Sequence, residues 1–167
     1  MRSAFLIMVN IKIVCVGKIK EKFCQDAVAE YKKRLGRYAK ISIVERQDEM
    51  TPDGASRAEE EQILVREGKR ILNALSGNDY VIELAVKGRT FTSEQLSGHL
   101  DGLMLGGRSS IAFVIGGSLG TSPEVSKRAN ESLSFSALTF PHQLMRVILL
   151  EQIYRSFRIM KNEPYHK

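Results

Sequence analysis

Ile111-Ala112-Phe113-Val114-Ile115-Gly116-Gly117-Ser118-Leu119-Gly120 is an unbroken apolar run that stops at a glycine cluster. With no polar residue in alternation, it reads as a strand buried on both faces, leading into a loop whose backbone a ligand can approach closely. Further on, Leu133-Ser134-Phe135-Ser136-Ala137-Leu138 predicts another strand, and Thr139-Phe140-Pro141-His142 a polar loop closed by proline. The spacing beyond predicts a helix from about Gln143 to Met160. In it Leu144, Met145, Val147, Ile148, Leu149, Leu150, Ile153, Tyr154 and Phe157 fall on nearly every side of the wheel. A helix apolar all round is buried all round. Its own sheet covers one face, and a second copy of the same helix covers the other, which makes the chain a symmetric homodimer. Two strand-end loops then lie beside a subunit interface, a favoured place for a ligand cleft.

Toward the N-terminus, Val9–Val16 alternates as a first strand and stops at Gly17. Phe23, Ala27, Val28, Tyr31 and Leu35 then mark a helix from Lys18 to about Leu35. Lys18, Lys20, Lys22, Lys32, Lys33 and Arg34 surround that stripe, with Arg37 and Lys40 just beyond. Such clustering predicts a phosphate-contacting face with Tyr31 and Tyr38 interleaved, against the plainer reading of a solvated helix face. A second strand covers Lys40–Arg46, and a charged helix runs from about Ser56 to Leu75. Glu59-Glu60-Glu61 in its first turns complements the helix dipole, a structural role. The third strand is Tyr80–Val86, broken by Lys87-Gly88-Arg89. Thr92 and Gln95 form a capping box for a helix that Gly106-Gly107 ends, and Ser122-Pro123 starts a further helix. Strands alternating with helices, without linker or repeat, predict one α/β domain over residues 8–167 with a mostly parallel sheet.

Residues 1–7 (Met1-Arg2-Ser3-Ala4-Phe5-Leu6-Ile7) are a poor signal peptide, short and without a small-residue cleavage site; Met8 is the expected natural start and residues 1–7 an N-terminal extension. No run reaches membrane-spanning length, so a cytoplasmic location is expected. The formal charge of +6 suits an anionic partner such as nucleic acid, and equally a merely basic surface. Cys15 and Cys24 are too few for a disulfide scaffold, and His99, His142 and His166 show no zinc spacing, so no metal is expected.

Ligands of open parallel sheets bind beyond the carboxyl ends of the strands. The loops there are Val86-Lys87-Gly88, Gly116–Gly120 and Thr139–His142. The glycine loop is neither a dinucleotide fingerprint nor a Walker A loop, and no nucleophile elbow or carboxylate pair stands out. That inventory suits group transfer in which the cofactor carries the reactive group and the protein orients it. His142 either touches substrate or satisfies the start of the long helix. Arg146, one turn on, wants an anion, or an ion pair such as one with Glu151 of the partner subunit. Glu151 and Arg155 form an i, i+4 pair.

Phe113–Gly120, Leu133–Val147, Glu151-Gln152-Ile153-Tyr154-Arg155, the terminal Pro164-Tyr165-His166-Lys167, and Val16-Gly17-Lys18 with Lys22 together resemble the ribosomal RNA large subunit methyltransferase H family. These are small SPOUT-class enzymes that methylate N3 of a pseudouridine in bacterial 23S rRNA. The resemblance runs from Met8 to the C-terminus. It implies an α/β fold with a C-terminal trefoil knot, a homodimer, and S-adenosyl-L-methionine (S-adenosylmethionine) held in the knot by loops at three strand ends. Carried over by motif position, Leu84, Gly116, Phe135, Ser136, Ala137, Leu138, Thr139 and Phe140 line the cofactor site. His142, Arg146, Tyr165 and His166 are the candidates for orienting the base or holding phosphates, the tail of one copy reaching the cofactor of the other. The assembled ribosome is the expected substrate. The alternatives are a related enzyme acting on another RNA such as tRNA, a non-catalytic ribosome-assembly factor, and a Rossmann oxidoreductase, which the missing fingerprint disfavours.

Overall fold

The computed structural model describes residues 8–167; the extension expected over residues 1–7, with the reading of it as a poor signal peptide, lies outside the described residues. Strands and helices alternate: β1 (Val9–Val16), α1 (Lys22–Leu35), β2 (Ala39–Arg46), α2 (Arg57–Asn73), β3 (Tyr80–Thr90), α3 (Ser93–Leu105), β4 (Ser110–Ile115), α4 (Pro123–Arg128), β5 (Glu131–Ser134) and α5 (His142–Met160). The strands form one sheet in the order β2-β1-β4-β3-β5, and every pairing is parallel. The α/β class with a parallel sheet is as the sequence predicts.

Burial on both faces explains why β1 and β4 read as near-continuous apolar runs. Ile11, Ile13 and Cys15 of β1 and Ile111, Phe113 and Ile115 of β4 face one layer, where Leu35 of α1, Leu96 and Leu100 of α3, and Leu149, Leu150, Ile153 and Phe157 of α5 close over them. The intervening Val14, Val16, Ala112 and Val114 face the other layer, against Ile71 of α2 and Val125 of α4. Cys15 and Cys24 are buried free thiols. Among the described residues, no helix is long and apolar enough to cross a membrane.

The cap signals hold. Thr92 and Gln95 form the full capping box, the Gln95 N–H donating to Thr92 Oγ1 at 3.1 Å and the Thr92 N–H to Gln95 Oε1 at 2.9 Å. Gly107 supplies the positive φ, +93°, at which α3 stops.

Three boundaries differ from expectation, each for a tertiary reason. Helix α1 starts at Lys22 rather than Lys18, because the backbone N–H groups of Lys20 and Glu21 donate to Gln143 Oε1 of α5 instead of entering a helix. Strand β5 ends at Ser134 rather than Leu138, leaving residues 135–141 as a loop. Strand β3 continues to Thr90 but slips: Leu133 of β5 pairs with both Leu84 and Arg89, so residues 85–88 bulge out between two registers. Gly88 sits against β5 so closely that a Cβ there would lie 2.7 Å from the Leu133 carbonyl carbon. This strand order and close approach are consistent with the trefoil knot that the resemblance implies.

Buried polar groups fasten the same region. Glu83 of β3 is only 3% exposed, and its carboxylate accepts hydrogen bonds from Thr121 at 2.8 Å, Ser126 at 2.6 Å and Ser132 at 2.9 Å. One side chain thereby ties β3 to the glycine loop, α4 and β5. At the opposite edge, Asp79 accepts from Lys12 Nζ at 2.8 Å, Ser110 Oγ at 2.6 Å and the Ser76 N–H at 2.8 Å.

Candidate active site

Two cavities open at the carboxyl edge of the sheet. The smaller, about 390 Å³, lies among the ends of β3, β4 and β5. Leu84, Gly116, Phe135, Ser136, Leu138, Thr139 and Phe140, all selected from the sequence, line it. Ala137 alone does not; it is exposed on the outside of the same loop. Leu84 belongs to the wall, and Val86-Lys87-Gly88 is not the end of the strand, because β3 leaves its first register at Leu84. Gly116 and Gly120 fold back on each other: the Gly120 N–H donates to the Gly117 carbonyl at 3.0 Å, and Gly120 has φ +85°. A Cβ on Gly116 would lie 2.3 Å from the Gly120 carbonyl oxygen. Glu67 of α2 backs the loop, buried at 4% exposure; its Oε2 accepts the Glu49 N–H at 2.9 Å while Oε1 has no partner. Burial pushes this carboxyl above the usual range, toward the neutral form.

The larger cavity, about 700 Å³, lies at the ends of β1 and β2 and the start of α5. Arg146, 1% exposed, forms its inner wall. Its Nη1 donates to Glu45 Oε2 at 2.8 Å, and its Nη2 to the carbonyls of Val16 at 3.1 Å and Gly17 at 2.8 Å. Its Nε has no partner. Gly17, at φ +89°, lets the chain turn so that both carbonyls reach one guanidinium nitrogen. The ion pair is therefore with Glu45, from within the same chain, rather than with Glu151 of the partner subunit. Glu151 pairs instead with Arg155 at 2.6 Å, the i, i+4 contact expected.

His142 lines both cavities, the only described residue to do so. Burial, and then the Arg146 charge, push its pKa below the ordinary 6.5, which keeps the imidazole neutral at neutral pH. A neutral imidazole carries one nitrogen free to accept a proton.

The structure brings His142 and Arg146 together but not Tyr165 and His166. The tail folds back along α5: Tyr165 Oη donates to Glu151 Oε1 at 3.2 Å and its ring meets Tyr154 edge-on at 5.0 Å. His166 sits between Glu94, at 2.7 Å from Nε2, and Arg155, at 3.2 Å from Nδ1. Burial, with hydrogen bonding to Tyr31 and the Glu151 charge, pushes the Tyr165 phenol up to about 12. Neither residue lines either of these two cavities. The tyrosines expected among phosphate contacts also turn inward. Tyr38 stacks on Phe157 at 5.3 Å and Tyr31 meets Tyr154 at 6.2 Å, because both lie on the α1 flank that packs against α5. The lysines and arginines around α1 are mostly solvent-facing, with i, i+4 pairs only at Lys22–Asp26 and Arg34–Glu30.

Sequence reasoning missed Glu45, the Gln143 clamp and Glu67. Each acts across a long separation in the chain, and only a glycine directly after the first strand hinted at a second loop of interest.

Comparison with known proteins agrees with this geometry. The family described as "Predicted SPOUT methyltransferase" matches residues 9–166. "Ribosomal RNA large subunit methyltransferase H" of Clostridium beijerinckii is 58% identical over 158 residues, 95% of this chain and 99% of that protein. A protein of the same name from Streptococcus thermophilus is 56% identical over the same shares. Among solved structures, a probable methylase family protein from Haemophilus influenzae superposes with a TM-score of 0.53 at 14% identity, over 95% of this chain and 71% of that one. A putative methylase family protein from Neisseria gonorrhoeae gives 0.52 at 17% identity, over 100% and 90%. Both structural likenesses concern the fold.

Proposed function

Because the chain belongs to the SPOUT methyltransferase family, we propose that it transfers a methyl group from S-adenosylmethionine to N3 of a pseudouridine in 23S rRNA, acting in the cytoplasm on the assembled ribosome. The observation that carries the reading is one cavity walled by nearly all the residues matched to the family's donor site. That cavity also fits the donor: its size suits a nucleoside, its walls carry Leu84, Leu133 and Phe140, and Gly116-Gly117 expose backbone rather than side chain. Bound there, S-adenosylmethionine supplies a methyl group activated by its sulfonium.

The protein's own part is orientation and charge. His142 stands between the cavities, neutral and able to take the imide proton that N3 must lose. Arg146, held from three sides, fixes a positive charge beside His142, where negative charge spreads onto the carbonyls flanking N3. On this reading, transfer falls as pH drops through the depressed His142 pKa, so the acid limb lies below the ordinary 6.5. A pH profile of single-turnover transfer checks this, and His142→Gln is expected to remove the limb.

A homodimer belongs to the same reading. Val147, Ile148 and Tyr154 of α5 stay half-exposed after α1 and α3 have packed, and Leu144 is 38% exposed. Across such a dimer, Tyr165 and His166 of one copy reach the other's site. Deleting residues 165–167 is then expected to cut methyl transfer at least a hundredfold while donor affinity changes less than twofold; equal loss of both would sink the tail assignment. Residues 8–167 are taken as the single catalytic domain and residues 1–7 as an extension, with no metal required.

The deciding experiment is transfer of labelled methyl to ribosomes from cells lacking the gene, with free 23S rRNA alongside. Label at N3 of a pseudouridine, on ribosomes alone, is the expected result. Label on tRNA instead, or donor binding without transfer to any RNA, would overturn the substrate.

A further inference from the structure

None of the residues matched to the donor site lines the larger cavity. Its outer wall, residues 17–21, is pinned across the chain: Glu45 Oε2 accepts the Ile19 N–H at 3.0 Å, and Gln143 Oε1 accepts the N–H groups of Lys20 and Glu21 at 2.9 and 3.1 Å. The unpartnered Nε atoms of Arg46 and Arg146 are sealed beneath this wall, so the groups the cavity offers a ligand are those at its rim. At the rim, Phe23 leaves 66% of its surface exposed, an aromatic face open to the cavity. Lysines 18 and 20 and Arg46 outweigh Glu21 and Asp48 there, once Glu45 is committed to Arg146. A flat face to stack and a basic rim describe a site for a nucleotide.

We infer that this cavity is the acceptor seat: an RNA nucleotide, turned out of its stack, enters it with its base on Phe23 and its phosphate against Lys18, Lys20 and Arg46. His142, shared by the two cavities, then marks the crossing point at which the base meets the methyl donor. The inference rests on the functional reading above and adds to it where the RNA binds and what holds it. Taking a base out of the stack costs free energy, and a stacking platform beside basic side chains offsets that cost.

The test is steady-state methyl transfer to ribosomes by Phe23→Ala, Phe23→Tyr and Arg46→Gln, with donor binding measured by calorimetry on each. Loss of a stacked base corresponds to roughly a tenfold effect or more. Phe23→Ala and Arg46→Gln are therefore expected to raise KM for ribosomes about tenfold with donor affinity unchanged, and Phe23→Tyr to restore it. Unchanged KM in both variants of an active enzyme would overturn the inference and leave the functional reading intact. Unchanged KM with a dimer that dissociates would instead give the cavity to a second copy of the chain. Loss of donor affinity would assign these residues to the donor site and likewise refute the seat. A wild-type protein that transfers no methyl group would remove the functional reading, and this inference with it.

Discussion

Replacing Arg146 with alanine is expected to cost about 3 kcal/mol of stability and to abolish most of the transfer in whatever protein remains folded. The side chain is 1% exposed and holds Glu45 and the carbonyls of Val16 and Gly17. Removing one member of a buried pair usually costs about 3–5 kcal/mol, because the remaining groups stay buried without partners. The lower end applies because the Glu45 side chain is 37% exposed and water solvates part of its charge. For a chain of this size that corresponds to a fall in Tm of about 6–12 °C. Arg146→Lys keeps the charge but lacks the planar fork that meets three acceptors at once, so it should fall between the two. Thermal unfolding with transfer assayed well below the lowered Tm separates the two losses. A residual activity within tenfold of wild type would show that the guanidinium is only a brace.

The second large effect is expected at Gly116. A methyl group there meets the Gly120 carbonyl at 2.3 Å and its carbon at 2.5 Å, both backbone atoms, in a loop further held by Glu67 against Gly117. Nothing flexible is available to yield, so Gly116→Ala must open the turn that floors the smaller cavity. Overpacking of this kind costs about 1–3 kcal/mol, which appears as a roughly 10- to 100-fold loss of donor affinity. Gly77→Ala, where an added carbon meets nothing, is the matched control. Titration calorimetry reads both, and equal affinities would mean the donor does not rest on this loop.

Much of this site was legible in the sequence because of one rule of parallel sheets. Apolar runs ending in Gly116–Gly120 and at the Thr139–His142 loop locate the carboxyl edge, and both cavities lie there, whereas Gly17 reads only as the stop of the first strand. The sequence carries β5 four residues too far, to Leu138 rather than Ser134, because Phe135 and Leu138 are apolar. They serve as cavity wall, and composition does not distinguish a wall from a strand. The break at Lys87-Gly88 was half right. Turn-forming residues marked an irregularity, but the strand resumes at Arg89 by pairing a second time with Leu133. Arg146 was singled out correctly as a buried cation, yet its partner lies 101 residues earlier in the chain. No periodicity encodes such a contact. Glu83 escaped notice altogether, since an acid inside a strand signals nothing until three hydroxyls from distant segments gather round it.

The place of β5 at the sheet edge has a consequence for how the protein is made. A nascent chain that has emerged only through β4 already contains the central strands β1 and β4. It leaves β3 with an unpaired margin and Glu83 without its Ser132 hydroxyl. An open, apolar strand margin invites pairing with other chains. The final segment must therefore thread against β3 soon after synthesis ends, and premature termination yields a fragment prone to clump rather than a weakened enzyme.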